Sequence, residues 1–485
     1  MNKEIKELEP KVVWTNFTDL NAVPRPSKKE GRVIAFMMGF GRSLGLETFT
    51  DTVGNVIIRK PASKGMEDRK MVTLQSHLDM VHQKNATVDF DFDTQGISMY
   101  VDGDWVRAKG TTLGADNGMG VAAIMALLQQ TDIPHPPLEA LFTIDEETGM
   151  TGAFGLKEGV LQGEILLNLD TEEDDEIDIG CAGGIDVTAE RSYDEKPREQ
   201  GDIGFEITVK GLNGGHSGID IHKGLGNANK IMNRLLYVGL AYNMRIAVLE
   251  GGGLRNAIPR ESWCSMNIYK TLESPFLEAF KKTAHEIKSE LRTMEPALSI
   301  TISPCKASEK VMEPDVQSKT IKAILAAHNG VYAMSASIPD LVETSNNIAK
   351  VEVRKGEIRI GCLTRSSVES AKIDQAHALK SVFELANFKV SFSGSYPGWN
   401  PNTDSEILNI TKKVYTDLFK ESPKVIACHA GLECGILGQN YPDMDMVSFG
   451  PTIMGAHSPD ERISISSVQK FWRFLLAVLQ QTPKK

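Results

Sequence analysis

Residues 110–130 read GTTLGADNGMGVAAIMALLQQ, and what brackets this run decides the fold. From Gly118 to Gln130 it is apolar and rich in Ala, Met and Leu, which predicts a buried helix. Met71–Ser76 upstream, and Leu138–Ile144 and Ile165–Leu169 downstream, are short apolar runs of β-formers that read as strands. Strands alternating with helices predict an α/β domain on a mostly parallel sheet. The pattern returns at the far end, where Asp404–Phe419 reads as an amphipathic helix, Met444–Phe449 as a strand and Ser464–Gln481 as a closing helix.

The middle of the chain differs. From about Val187 to Ser395 the strands alternate with period two, as in Gly204–Lys210 and Val351–Ile360, which predicts half-exposed sheets. Helices are expected at about Leu225–Asn243, Pro275–Arg292, Ser318–His328 and Ser366–Ala386. A run from Gly253 (GLRNAIPRESWCSMNIY) and another from Glu343 (ETSNNIAKVEVRKGEIRIGC) each place Asn and Ile before a strand, as an internal duplication would. The expected organisation is a discontinuous catalytic α/β domain, 1–186 and 397–485, interrupted by an inserted α+β lid domain over 187–396.

Composition narrows the function. A chain of 485 residues exceeds one ordinary hydrophobic core, so two or more domains are expected. The net charge of −11 opposes nucleic-acid binding, which needs a basic field. The longest apolar run, Val121–Leu128, is far short of the ~20 residues that cross a bilayer. The opening MNKEIKELEP lacks an apolar signal core, and the 6 cysteines form neither a disulfide framework nor a CxxC site. A cytoplasmic home is expected, with the cysteines, Cys181 and Cys434 among them, as reduced core residues.

Chemistry-bearing side chains recur just past the expected strands, where open α/β sheets place their ligands. His77 and Asp79 follow the first strand, Asp116 sits in the glycine-rich turn, and Asp145-Glu146-Glu147, Asp170 and His457 follow the others. Singly, each has a bland explanation: a polar loop histidine, a turn-forming aspartate or a helix N-terminal charge pair. Together, two imidazoles and three carboxylates with no thiolate suit two divalent cations of the Zn, Mn or Co type. Asp116 is the expected bridge, because glycines around it admit close backbone approach. His77 and Asp170 would then hold one ion, and Glu147 and His457 the other. Asp79 is placed to fix the His77 tautomer, and Glu146 to take the proton of the attacking water.

The strings SHLDMV, TTLGADNGMGVA, DEETGMTGA, NLDTEE and GAHSPDE resemble the co-catalytic zinc peptidases related to carboxypeptidase G2. They resemble most closely the aminoacyl-histidine dipeptidase branch, over essentially the whole chain. The resemblance implies the same ligands, His77, Asp116, Glu147, Asp170 and His457, with Asp79 and Glu146 catalytic, and a cis peptide between Asp116 and Asn117. It further implies Zn²⁺ as the first-choice metal, with Co²⁺ or Mn²⁺ as the other fits. The expected substrates are unblocked dipeptides, Xaa-His (β-alanyl-histidine included) among them, and the expected assembly is a homodimer through the lid.

Within the lid, GGHSG resembles the family segment whose histidine stabilises the oxyanion, which nominates His216. Asn256 is a candidate substrate contact, and Arg365, ending a strand, a bidentate clamp for a C-terminal carboxylate. Glu433 is a candidate partner for the substrate ammonium. His82, His222 and His429 are read as polar surface or supporting residues. Two other readings compete: an N-acyl amino acid deacylase, and a peptide-binding pseudo-peptidase, which should have lost a ligand or the base.

Overall fold

A computed structural model describes residues 2–485. The chain divides into two compact units, one made of the segment ending at Gly180 with Pro401–Ala427 and Leu432–Lys485, the other of Cys181–Asn400 with Cys428–Gly431. The second unit thus starts before residue 187 and ends after 396. Its sheet already includes Gly183–Ser192, and Cys181 and Trp399 exchange both main-chain hydrogen bonds at 2.9 Å.

The first unit is built on an eight-stranded sheet in the order Glu47–Thr50, Val56–Lys60, Leu138–Thr143, Val72–His77, Ile165–Asn168, Asp445–Ser448, Glu176–Cys181 and Lys424–Cys428. The parallel character resides in the four central strands, from Leu138–Thr143 to Asp445–Ser448. Glu47–Thr50, Val56–Lys60 and Glu176–Cys181 join antiparallel. Because the central strands run one way, their carboxyl ends line one edge of the sheet, where open α/β folds bind ligands.

The helix Ala115–Gln129 buries every side chain from Val121 to Leu128. Lys11–Asn21 braces it through Asn16, which donates to Gln129 at 3.0 Å. Gly120 allows close approach, since a Cβ there would lie 2.6 Å from the Leu169 carbonyl oxygen. Ser405 and Ser464 cap Glu406–Phe419 and Ile465–Gln480, accepting from the Leu408 and Ser467 amides.

The second unit is a nine-stranded sheet whose pairings are all antiparallel. Its order is Ser299–Cys305, Asp202–Lys210, Ser262–Tyr269, Arg245–Gly252, Val342–Arg354, Glu357–Ser366, Gly183–Ser192 and Lys389–Tyr396, with Gly330–Met334 branching onto Val342–Arg354. Numbered along the chain within each half, the strands lie 4-1-3-2 and then 2-3-1-4, so the halves share one order and meet at their second strands. Helices Ala228–Gly239, Glu273–Leu291, Pro314–Ala326 and Glu369–Leu385 bury Leu235, Phe280, Ile324 and Leu379 in one core with the sheet.

Two local expectations give way. The run Val351–Ile360 is not one strand but a hairpin, with Val351 facing Ile360. Lys355 and Gly356 both take positive φ, 51° and 80°, which turns the chain back tightly. The third helix starts at Pro314, four residues before Ser318, because proline is favoured in the first turn.

Candidate metal and catalytic centre

The carboxyl ends of the central strands deliver the expected residues to one place in the first unit. His77 closes Val72–His77, Glu146 and Glu147 follow Leu138–Thr143, and Asp170 follows Ile165–Asn168. His457 lies in the loop joining Ile453–Met454 to Arg462–Ser464 and has φ 64°, a conformation uncommon outside glycine. Asp116 stands in the first turn of Ala115–Gln129, and its peptide to Asn117 is cis.

Two ligand groups share one carboxylate. Asp116 Oδ1 lies 3.1 Å from His77 Nε2, while its Oδ2 lies 3.1 Å from His457 Nε2. Asp170 Oδ1 completes the first group, 3.6 Å from His77 Nε2, and Glu147 Oε2 the second, 3.0 Å from His457 Nε2. Within each group the ligand atoms fall within 4.8 Å of one another. Asn117 donates to Asp170 and, at 2.8 Å, to the Leu169 carbonyl.

The charges make this donor set a fit for divalent cations. Burial opposes a proton on His77, but Asp170 and Asp116 outweigh it and hold the ring well above the usual imidazole range. Hydrogen bonds to Asp116 and Glu147 push His457 up to about 11. Burial also opposes charge on Asp116, yet the hydrogen bonds from His457 and His77 hold its carboxyl below the carboxylate range. A carboxylate field that draws protons onto two imidazoles also favours cations between them.

Asp79 and Glu146 border this set. Asp79 Oδ1 is 3.5 Å from His77 Nδ1 and accepts the Glu146 amide at 3.0 Å, while Oδ2 accepts from Ser27 at 2.8 Å and the Glu147 amide at 3.3 Å. One carboxylate therefore orients both the first histidine and the Glu146–Glu147 turn. Burial lifts the Glu146 carboxyl well above its ordinary range, with Asp170 adding and His77 opposing.

A second cluster forms within the second unit. His216 and Arg365 come from the two halves of its sheet, and Arg365 Nη2 lies 3.5 Å from His216 Nε2. Arg365 is 4 % exposed and donates to the Tyr396 hydroxyl at 2.7 Å. His216 Nδ1 accepts the Gly218 and Ile219 amides at 3.3 and 3.1 Å, so its proton sits on Nε2. Asn256 has an exposed side chain, and its carbonyl accepts the Ser217 amide at 2.7 Å.

Glu433 lies in the interior of the first unit. It is 1 % exposed, and Gln75 and Thr143 each donate to its Oε2 at 2.6 Å. Burial pushes its carboxyl up to about 8, so at neutral pH it is largely a neutral acid and a poor ammonium partner. His82 and His222 are exposed, whereas His429 is buried against Ser345. Cys305 lies exposed, unlike the buried Cys181, Cys264, Cys362 and Cys434.

Two residues escaped the sequence reading. Glu461, 2 % exposed, accepts the amides of Leu113, Gly114, Ala115 and Asp116. Arg25, 1 % exposed, donates to the carbonyls of Leu78, Asp79 and Gly114. Glu461 sits inside the quoted GAHSPDE string, four residues past His457, so its position was a usable signal. Arg25 lies between two prolines with no periodicity to mark it.

Comparison with known proteins bears on the chain as a whole. The model of Peptidase family M20/M25/M40 matches residues 73–481. The cytosol non-specific dipeptidase of Escherichia coli (strain K12) is 42 % identical over 485 residues, covering 99 % of this chain and 100 % of that one. The crystal structure of an aminoacylhistidine dipeptidase from Vibrio alginolyticus is also 42 % identical, with a TM-score of 0.94 over 100 % of this chain and 99 % of the other. The fold extends to aminopeptidase PepT from Bacillus cereus, at 16 % identity and a TM-score of 0.58 over 98 % and 99 %. With its centre at the sheet edge and the match running through both units, the chain belongs to Peptidase family M20/M25/M40.

Proposed function

We propose that this protein is a metal-dependent dipeptidase that cleaves unblocked dipeptides, Xaa-His among them, with two divalent cations per chain and Zn²⁺ as the resident metal. The observation that carries the reading is Asp116, which presents one carboxylate oxygen to each of two imidazole–carboxylate groups. Bound cations supply Lewis acidity, polarising the scissile carbonyl and lowering the pKa of the attacking water. His77 and Asp170 would hold one cation, Glu147 and His457 the other, with Asp116 shared between the two groups. Asp79 keeps the His77 ring oriented. Glu146 accepts the proton that water loses as its oxygen bonds to the carbonyl carbon, then returns it to the leaving amine nitrogen.

His216, neutral with its proton on Nε2, is the donor for the oxyanion. Burial and then Arg365 depress its pKa, so it donates without carrying charge. Arg365 receives the substrate carboxylate, and Asn256 is the remaining substrate contact. Cytosolic placement and a homodimer through the second unit belong to the same proposal; sedimentation of the purified protein tests the dimer.

The test is chelation followed by re-addition of Zn²⁺, Co²⁺ or Mn²⁺, assayed on an Xaa-His dipeptide, an N-acetyl amino acid and an Xaa-His-Xaa tripeptide. Activity should vanish and return, with the dipeptide preferred. Full activity in exhaustive chelator at zero metal content overturns metal dependence. Preference for the N-acetyl compound would make the protein an N-acyl amino acid deacylase, and hydrolysis of none of the three would leave a peptide-binding pseudo-peptidase.

A further inference from the structure

Five segments carry the two ligand groups, and three of them are tied together through their main chain: the His77–Asp79 turn, the Leu113–Asp116 loop and the loop carrying His457. The ligands join these segments only at their side-chain tips, Asp116 to His77 and to His457. Two buried, oppositely charged side chains that belong to neither group lie on the main chain of all three.

Glu461 joins the His457 loop to the Asp116 loop. Its Oε2 accepts from the Leu113 amide at 2.7 Å and Gly114 at 3.0 Å, and its Oε1 from Ala115 at 2.7 Å and Asp116 at 3.3 Å. Four donors saturate the lone pairs of one carboxylate. These amides precede the regular turns of the helix, because Asp116 and Asn117 have non-helical backbone angles. Their acceptor arrives from 345 residues along the chain.

Arg25 joins the same loop to the His77–Asp79 turn. Its Nη1 donates to the Leu78 and Asp79 carbonyls at 3.1 and 3.0 Å, and its Nη2 to the Gly114 carbonyl at 2.6 Å. Gly114 therefore gives its amide to Glu461 and its carbonyl to Arg25. Its φ of 70° turns the two groups apart, and a Cβ there would lie 2.6 Å from Arg25 Nη2. Only glycine meets both demands.

We infer that Arg25 and Glu461 are positioning residues for the metal centre, locking the segments that carry His77, Asp116 and His457 into register through the main chain. They brace backbone rather than ligand side chains, so a change at either one displaces ligands that are chemically intact. A Lys at position 25 has a point charge where three carbonyls need a planar fork. A Gln at position 461 turns an NH₂ group toward amides that require acceptors.

The inference rests on the two-cation reading, and one experiment separates the two. Apo wild type, Glu461→Gln and Arg25→Lys are titrated with Co²⁺, following visible absorption and binding stoichiometry, with circular dichroism of each apo form. Failure of wild type to bind two Co²⁺ per chain would sink the two-cation reading itself. Given two in wild type, the variants should keep the wild-type apo fold, lose about 10–100-fold in affinity for at least one Co²⁺, and show a changed absorption band. Glu461→Gln should weaken chiefly the ion held through His457. Wild-type affinities and spectra in both variants would overturn the inference. So would loss of the apo fold in both, which would assign the pair to folding alone.

Discussion

His457 in the first unit and His429 in the second are the same side chain pushed in opposite directions. Hydrogen bonds to Asp116 and Glu147 push His457 up to about 11. Burial, then the positive charge of Arg365, pushes His429 down to about 3. The first unit concentrates negative charge around imidazoles. The second concentrates positive charge, and its buried Arg365 Nε has no hydrogen-bond partner among the described residues. One unit therefore calls for cations and the other for an anion.

The sharpest way to break the comparison is to remove the negative bridge. Asp116→Ala should lose both cations, as read by metal analysis after dialysis, and activity should fall to that of the chelated enzyme. Glu146→Gln should keep both cations yet lose ~10²–10⁴-fold in kcat, because the water lacks its proton acceptor. The opposite pattern, an empty Glu146→Gln and a loaded Asp116→Ala, would reverse the two roles.

The positive side is probed by the substrate. If Arg365 receives the substrate carboxylate as proposed, amidating the C-terminus of an Xaa-His dipeptide should leave it facing a neutral group in a buried site. Truncating one partner of such a pair costs on the order of 2–5 kcal/mol, or roughly 30- to several-thousand-fold in kcat/KM. Arg365→Ala should erase most of the difference between acid and amide while leaving metal content unchanged. A mutant that still prefers the free acid as strongly as wild type would remove Arg365 from carboxylate binding.

The two units also differ in how much of them could be read from sequence. In the first, His77, Glu146, Glu147 and Asp170 lie within four residues of strand ends, so short-range pattern and chemistry coincide. In the second, Arg365 reaches His216 across 149 positions, and no local pattern encodes that approach. The hairpin at Lys355-Gly356 was missed because the alternation continues through it, and the turn pair is not the usual Asn-Gly. The burial of Glu433 is equally silent in the sequence, since Gln75 and Thr143, both far along the chain, fold over it. Arg25 and Glu461 act on backbone amides and carbonyls, which every residue possesses, so their partners leave no trace in residue type.

The smallest effect tests the second unit alone. In the unfolded chain His429 titrates near 6.5, whereas in the folded protein it does so at about 3. Between these values the unfolded chain holds a proton that the folded one does not. The contribution of His429 to stability is therefore complete above pH 6.5 and lost as pH falls toward 3, by about 1.4 kcal/mol per pH unit. His429→Asn retains a polar partner for Ser345, which lies 2.8 Å from His429 Nε2, but cannot take up the proton. The stability difference between wild type and His429→Asn, measured by urea unfolding, should be flat from pH 8 to 7. It should then shift against wild type by roughly 2–3 kcal/mol on going to pH 4.5. Carboxylates and ligand histidines titrate alike in both proteins and cancel in the difference. Parallel stability curves would mean that His429 gains its proton in the folded state at an ordinary pH, and the cation-rich character assigned to the second unit would fail with it.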